Sequence, residues 1–205
     1  MSKKQVISPG WDTRSLEKIQ NIRTRDENGD PIIEGYFVVF DGVYHITDDV
    51  TESIDRHAFD NAIDGNDIRM LIDHETRLVI GRTAAGTAQI RVDDVGVWGR
   101  AAINPNDSDA MNAHARVERG DVSQGSFGFD ILAEDTDIRD DGSVHFTIRE
   151  VRLYELSVVT FPAYEDTAVS ARAQQAAEAL KRKAEAWKQK MKERLHNGTQ
   201  STDEA

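Results

Sequence analysis

The sequence predicts an α+β chain built on a mainly antiparallel β-barrel, closed or nearly closed, with surrounding helices and one long helix at its C-terminal end. Three observations point there. Runs of β-branched and aromatic residues recur at short intervals between residues 32 and 161, parted by Gly and Asp. Two stretches within that region carry helical signals instead, each with an Asn or Asp placed to cap a first turn. Residues 171–195 contain neither Gly nor Pro and are rich in Ala, Glu, Lys, Gln and Arg, which lose little on entering a helix.

Taken in order, residues 1–31 form a lead segment in which Leu16, Ile19 and Ile22 fit either a short helix or the approach to a first strand. Asp26 to Asp30 is a polar turn and not a calcium loop, because the downstream Glu of an EF-hand is missing. The barrel region, residues 32–170, opens with β-rich runs at 32–40, 67–72, 78–83, 87–92 and 95–103. Helical signals interrupt at Asp55–Ile63 and at Asn106–Glu118. Strands then resume at 124–132, 144–152 and 153–161, with Asp140-Asp141-Gly142 marking a turn before the second of these. A basic amphipathic helix follows at 171–195, and residues 196–205 read as a polar, frayed tail. There is no internal repeat.

Charge divides the chain along the same lines. The 205 residues carry 25 basic and 37 acidic side chains, a net of −12, which disfavours attraction to a phosphate backbone and argues against a nucleic-acid partner. Residues 171–195 hold eight basic and three acidic side chains, a net of +5, and residues 1–170 hold −15. An acidic body therefore carries a basic arm. Along that arm Leu180, Ala184, Trp187, Met191 and Leu195 fall on one helical stripe. The stripe either packs on its own domain or a second copy as a short coiled coil, or docks the acidic protein to an assembly with the basic face steering the encounter.

No cysteine is present, which removes disulfides, thiolate nucleophiles and Cys-containing zinc sites. Nor does the N-terminus carry an apolar segment behind Lys3 and Lys4, and no stretch approaches the roughly 20 apolar residues of a membrane span. A soluble protein made where it works, without a membrane partner, is the expectation. A hydroxyl, a carboxylate or a histidine must carry any catalysis.

Of six histidines, only His74 stands at the end of a strongly apolar run, Met70-Leu71-Ile72-Asp73-His74-Glu75. A side chain there is fixed by the sheet yet reachable, as a general base must be. The alternative is a surface histidine in a turn. A metal site at Asp73-His74-Glu75 lacks the HExxH spacing and a second His nearby, and no metal or cofactor is expected. Ser126, within Ser123-Gln124-Gly125-Ser126-Phe127-Gly128-Phe129, is flanked by glycines that permit close backbone approach. This is not the GxSxG elbow, since Gln occupies position 124, and glycines in a strand also mark bulges. Glu155 lies in the apolar run Tyr154 to Tyr164, where a carboxylate costs free energy unless paired, and so could orient a histidine; alternatively it faces solvent.

Taken together these blocks carry a resemblance. The opening Ile33-Glu34-Gly35-Tyr36-Phe37-Val38-Val39-Phe40, then Asp73-His74-Glu75 followed by Leu78 to Thr83, then Arg119-Gly120-Asp121 with Gly125 to Phe129, then Glu155 to Tyr164, are similar in order to the prohead protease family of tailed bacteriophages. The similarity spans Ile33 to Ala171. It implies a serine endopeptidase with an assemblin-like barrel, active in the host cytoplasm inside the immature capsid. Its implied targets are the scaffold or the scaffolding segment of the major capsid protein, and usually the protease itself. It further implies Ser126 as nucleophile and His74 as general base, and permits activation by dimerisation. The third member stays open: the phage pattern points to Glu155, whereas assemblins use a second histidine, for which His145 and His114 stand available. Oxyanion donors are expected among the backbone N–H groups of Thr160 to Ala163 and near Arg149 or Arg152. The rival reading is a catalytically inactive capsid-assembly protein on the same fold; a ligand-binding barrel would explain none of the motif order.

Overall fold

The computed structural model describes residues 12–14, 22–40, 42–161 and 166–200. In chain order the strands are β1 (Asp12–Arg14), β2 (Arg23–Glu27), β3 (Asp30–Val39), β4 (Val43–Thr47), β5 (Val50–Ile54), β6 (Arg69–Ile72), β7 (Val79–Arg82), β8 (Ala88–Val92) and β9 (Gly96–Ala102). Helix α1 (Ser108–Arg119), the long strands β10 (Gln124–Ile138) and β11 (Val144–Val159), and helix α2 (Asp166–Gln200) complete the order. No helix among the described residues is long and apolar enough to cross a membrane.

These strands form two sheets of seven and four, and the fold is mixed α+β. The smaller sheet runs β2-β3-β9-β8 and is antiparallel throughout. The larger is organised by β11, which pairs β10 along its length on one side. On its other side β11 is shared, its first half pairing β5 and its second half pairing β6, both in parallel. One expectation is corrected here. The hydrogen-bonded ladders do not close into a barrel among the described residues, while the pairing is mainly antiparallel as expected, the exceptions being the two parallel ladders of β11. The physical reason is that β11 splits its pairing between two short strands, so the sheet forks where a barrel would continue.

Other elements differ in extent. The runs 144–152 and 153–161 are one strand, because register shifts near Gly128, Ile131 and Ala133 let β10 and β11 bend together without breaking. The helical signal at Asp55–Ile63 yields a single 3₁₀ turn, Arg56–Phe59, whose start is capped by the Asp55 carboxylate accepting from the His57 N–H at 2.9 Å. Helix α1 is capped by Asp107 and ends at Gly120, whose φ of 85° only glycine adopts readily.

The core lies between the sheets, where Phe127 and Leu156 of the large sheet face Phe37 of the small one. Phe59 packs edge-on to Phe127, and Phe127 stacks on Phe129 at 4.7 Å between centroids. The sheets approach so closely at Gly99 that an added Cβ would come within 2.7 Å of Leu156. A second apolar cluster, Ile46, Val50, Val144, Phe146 and Ala176, seats the start of α2 against β4, β5 and β11.

Candidate active site

Pairing register brings the candidate residues together. On β10 and β11, Ser126 stands opposite Ser157 and Gly128 opposite Glu155, while Phe127 stands opposite Leu156. Because side chains alternate along a strand, Ser126, Glu155 and Ser157 share the face turned away from the Phe127–Leu156 core. Next to β11 lies β6, whose Ile72 pairs Val158. Immediately beyond it the chain turns, delivering His74 across the same face. Three neighbouring strands thus each supply one part of the site.

The turn is held firmly. Asp73 and His74 both adopt left-handed conformations, with φ of 47° and 58°. Two such residues in succession are costly for side chains with a Cβ and persist only where the surroundings impose them. Here the Asp73 N–H donates to the Val158 carbonyl at 2.9 Å, and the Glu75 N–H closes the turn on Ile72 at 2.9 Å. The Asp73 carboxylate accepts from the Thr160 backbone N–H at 2.7 Å and the Thr160 hydroxyl at 3.1 Å. The turn is thereby tied to the end of β11 from both sides.

The imidazole of His74 then lies between its two partners. Its Nε2 is 2.9 Å from Ser126 Oγ, and its Nδ1 is 2.7 Å from Glu155 Oε1. Glu155 is buried, and its other carboxylate oxygen accepts from the hydroxyl of Ser157. That same Ser157 oxygen accepts from the His74 backbone N–H at 3.2 Å. The serine therefore fastens the histidine's main chain and the carboxylate's far oxygen at once. Solvent reaches this chain at His74, 12% exposed in its side chain, whereas Ser126 is 0% exposed. Gly125, next to Ser126, has no room for a side chain, since a Cβ there would lie 2.8 Å from Phe37.

The remaining candidates sit elsewhere. His145 is ten residues before Glu155 on β11, roughly 33 Å along the strand. Its Nδ1 is 2.8 Å from Thr51 Oγ1 and its Nε2 2.9 Å from Ser53 Oγ. Burial, with Arg139 nearby, lowers its pKa from the usual histidine value. His114 is on α1, and its buried Nε2 has no hydrogen-bond partner among the described residues. Neither touches Ser126 or His74. Asp73-His74-Glu75 does not converge on a metal, because Asp73 is committed to Thr160, both ring nitrogens of His74 are engaged, and Glu75 turns to Arg77. Among the oxyanion candidates, Arg149 is taken up by Asp135 and Asp55, and the Thr160 N–H by Asp73. Arg152 stands opposite Asp130, and Pro162 and Ala163 lie outside the described residues.

Sequence reasoning missed Ser157 and the Asp73–Thr160 tie. The signal for Ser157 is its spacing of two from Glu155, which places both on one face of a strand.

A serine, a histidine and a buried carboxylate joined in one hydrogen-bonded chain define the geometry of a triad-type hydrolytic site, here on a two-sheet α+β scaffold. Residues 18–182 match the family described as caudovirus prohead serine protease. The chain belongs to that family. A curated relative, the prohead protease of Enterobacteria phage HK97, is 31% identical over 143 residues, covering 68% of this chain and 59% of the relative. The chain thus spans less than two thirds of that relative's length. The solved structure of the bacteriophage T4 capsid assembly protease is similar with a TM-score of 0.47 and 11% identity, covering 74% of this chain and 97% of that one.

Proposed function

We propose that the protein is a serine endopeptidase of phage capsid maturation. It cleaves scaffold, or the scaffolding segment of the major capsid protein, inside the immature capsid, and cleaves itself. The observation that carries this reading is the Ser126–His74–Glu155 chain of hydrogen bonds, in a member of the prohead protease family.

In this scheme the ionised Glu155 accepts from Nδ1–H of His74, which leaves Nε2 with its lone pair toward Ser126. As Ser126 Oγ attacks the scissile carbonyl carbon, Nε2 takes the hydroxyl proton, and the resulting imidazolium is stabilised by Glu155. The tetrahedral intermediate collapses when Nε2 returns that proton to the leaving amine, and an acyl-enzyme remains on Ser126. Water, deprotonated by the same nitrogen, then attacks the acyl carbon; the bond to Ser126 Oγ breaks, Nε2 returns the proton to Oγ, and the acyl group leaves as the acid. Ser157 keeps Glu155 aimed through both steps.

The test is co-expression with the capsid partner, following chain lengths over time for wild type and Ser126→Ala. Wild type should process the partner, and Ser126→Ala should lose on the order of 10⁶ in turnover, which is loss of processing on any practical timescale. Processing by Ser126→Ala at the wild-type rate would remove the serine from the mechanism. A wild-type chain that enters capsids and processes nothing would favour the assembly-protein reading.

A further inference from the structure

Helix α2 changes character along its length. Its start is anchored: Arg172 and Ala176 are buried, and the Arg172 guanidinium donates to Glu52 at 2.7 Å and to Glu134 at 2.6 Å. The last tie to the body is Lys183, whose Nζ donates to the Ile138 carbonyl at 2.8 Å. No described side chain from residue 177 to residue 194 is buried. Leu180, Trp187 and Met191 are 36%, 63% and 36% exposed, and no described tie to the body lies beyond Lys183. The body therefore leaves this apolar stripe uncovered.

The residues beside the stripe restrict what can cover it. Leu180, Ala184, Trp187 and Met191 are spaced four, three and four, the alternation of a two-position coiled-coil seam. That seam is narrower than the broad apolar face a helix buries in a core or in a membrane surface. The four positions flanking it are Lys181, Lys183, Lys188 and Lys190. All four flanks are thus cationic, and Lys181, Lys188 and Lys190 form no ion pair among the described residues. A second copy of α2, in either orientation, would set lysine against lysine along the seam. Helix α1 offers no alternative, because its apolar residues Ala110, Ala113 and Val117 are already buried.

We propose that the distal half of α2 is a docking site for an acidic amphipathic helix of another protein, one with apolar residues at seam spacing and Glu or Asp at the flanking positions. The seam supplies the packing, and Lys181, Lys188 and Lys190, the flanking lysines not tied to the body, select the sign of the partner and exclude self-pairing. The exposed Leu180, Trp187 and Met191 need apolar side chains to cover them, which a phosphate backbone does not supply, and this favours a protein helix over a nucleic acid. The inference stands apart from the protease reading, since it uses no residue of the Ser126 site.

The test uses the full chain with Ser126→Ala to prevent autolysis, and two fluorescently labelled four-heptad peptides. Both carry Leu at the seam, one with Glu and the other with Lys at every flanking position. The acidic peptide should bind at least about tenfold more tightly than the basic one, with the preference shrinking as salt rises. Lys181→Glu, Lys188→Glu and Lys190→Glu together should reverse the preference, and Trp187→Ala should weaken binding of the acidic peptide while leaving the melting temperature unchanged. Equal binding of both peptides overturns the proposal. So does tighter binding to duplex DNA or to anionic phospholipid vesicles than to the acidic peptide, or concentration-dependent dimerisation of the full chain that Trp187→Ala abolishes.

Discussion

At the scale of single residues, the site depends on a buried carboxylate whose oxygens are both used. Glu155 faces His74 through one oxygen and Ser157 through the other. Losing a hydrogen bond to a charged group costs about 1.5–3 kcal/mol, which is about 10- to 100-fold in rate when the bond acts in the transition state. Ser157→Ala should therefore lower kcat by about that factor and leave KM nearly unchanged, because the Ser157 hydroxyl is bonded to Glu155 and to the His74 backbone. Ser157→Thr, which keeps the hydroxyl, should recover much of the loss, a rescue that a purely structural role would not show. Glu155→Gln should cost more, on the order of 10⁴ in kcat, because the amide can present N–H to Nδ1 and favour the wrong tautomer. Steady-state kinetics on a cleavable capsid-derived peptide decides both; equal effects on kcat and KM would sink the positioning role. Of this site, His74, Ser126 and Glu155 were candidates in the sequence, each a reactive type in an apolar or glycine-bordered run. But each run alone had a bland reading too, and it was the order of the motifs and the family resemblance that set them together, with the third member left open. Ser157 was not a candidate, since a small hydroxyl in a strand reads as ordinary until its cross-strand partner, Ser126, is known.

At the scale of elements, the strands easiest to read were those with continuous apolar runs, such as β3 and the second half of β11. Strands β4 and β5 were not legible, and β5 shows why. Its inward positions are Val50, Glu52 and Ile54, so a charge occupies the core side of the strand. The charge is compensated by Arg172, 120 residues away on α2, whose guanidinium also lies over the Phe146 ring at 4.7 Å. No local pattern can announce a pair separated by that distance. The same pair decides how α2 is fixed to the sheet. Arg172→Met should destabilise the fold by about 3–5 kcal/mol, because it leaves the Glu52 carboxylate in the interior without its cation. Adding Glu52→Gln should recover most of that loss by neutralising the buried group. Urea unfolding midpoints of the single and double variants give the answer. If the double variant is no more stable than Arg172→Met, the buried charge is not the source of the cost.

At the scale of the whole molecule, the division between an acidic body and a basic arm corresponds to a division in packing. Among the described residues, the Ser126–His74–Glu155 chain comes from β10, β11 and the turn after β6, and the described ties of α2 to the body are made by Arg172, Ala176 and Lys183. A chain ending at Lys183 therefore keeps both buried side chains of the described part of the helix, Arg172 and Ala176. The described side chains it loses, residues 184–194, are all exposed, and its unfolding free energy should stay within about 0.5 kcal/mol of the full chain, the range of surface changes remote from buried features. On a short peptide substrate its kcat/KM should equal that of the full chain. In an assembling system the two should separate: the truncated protein lacks Trp187 and Met191 and should be depleted from sedimented immature capsids, while the full chain is retained. Both quantities come from the same pair of preparations, by peptide hydrolysis and by quantifying each chain in the particle fraction. A truncated chain that hydrolyses peptide poorly would mean that α2 supports the catalytic face through contacts beyond Lys183. If it hydrolyses peptide normally and enters particles as well as the full chain does, recruitment belongs to the body, and the stripe on the distal helix has no part in it.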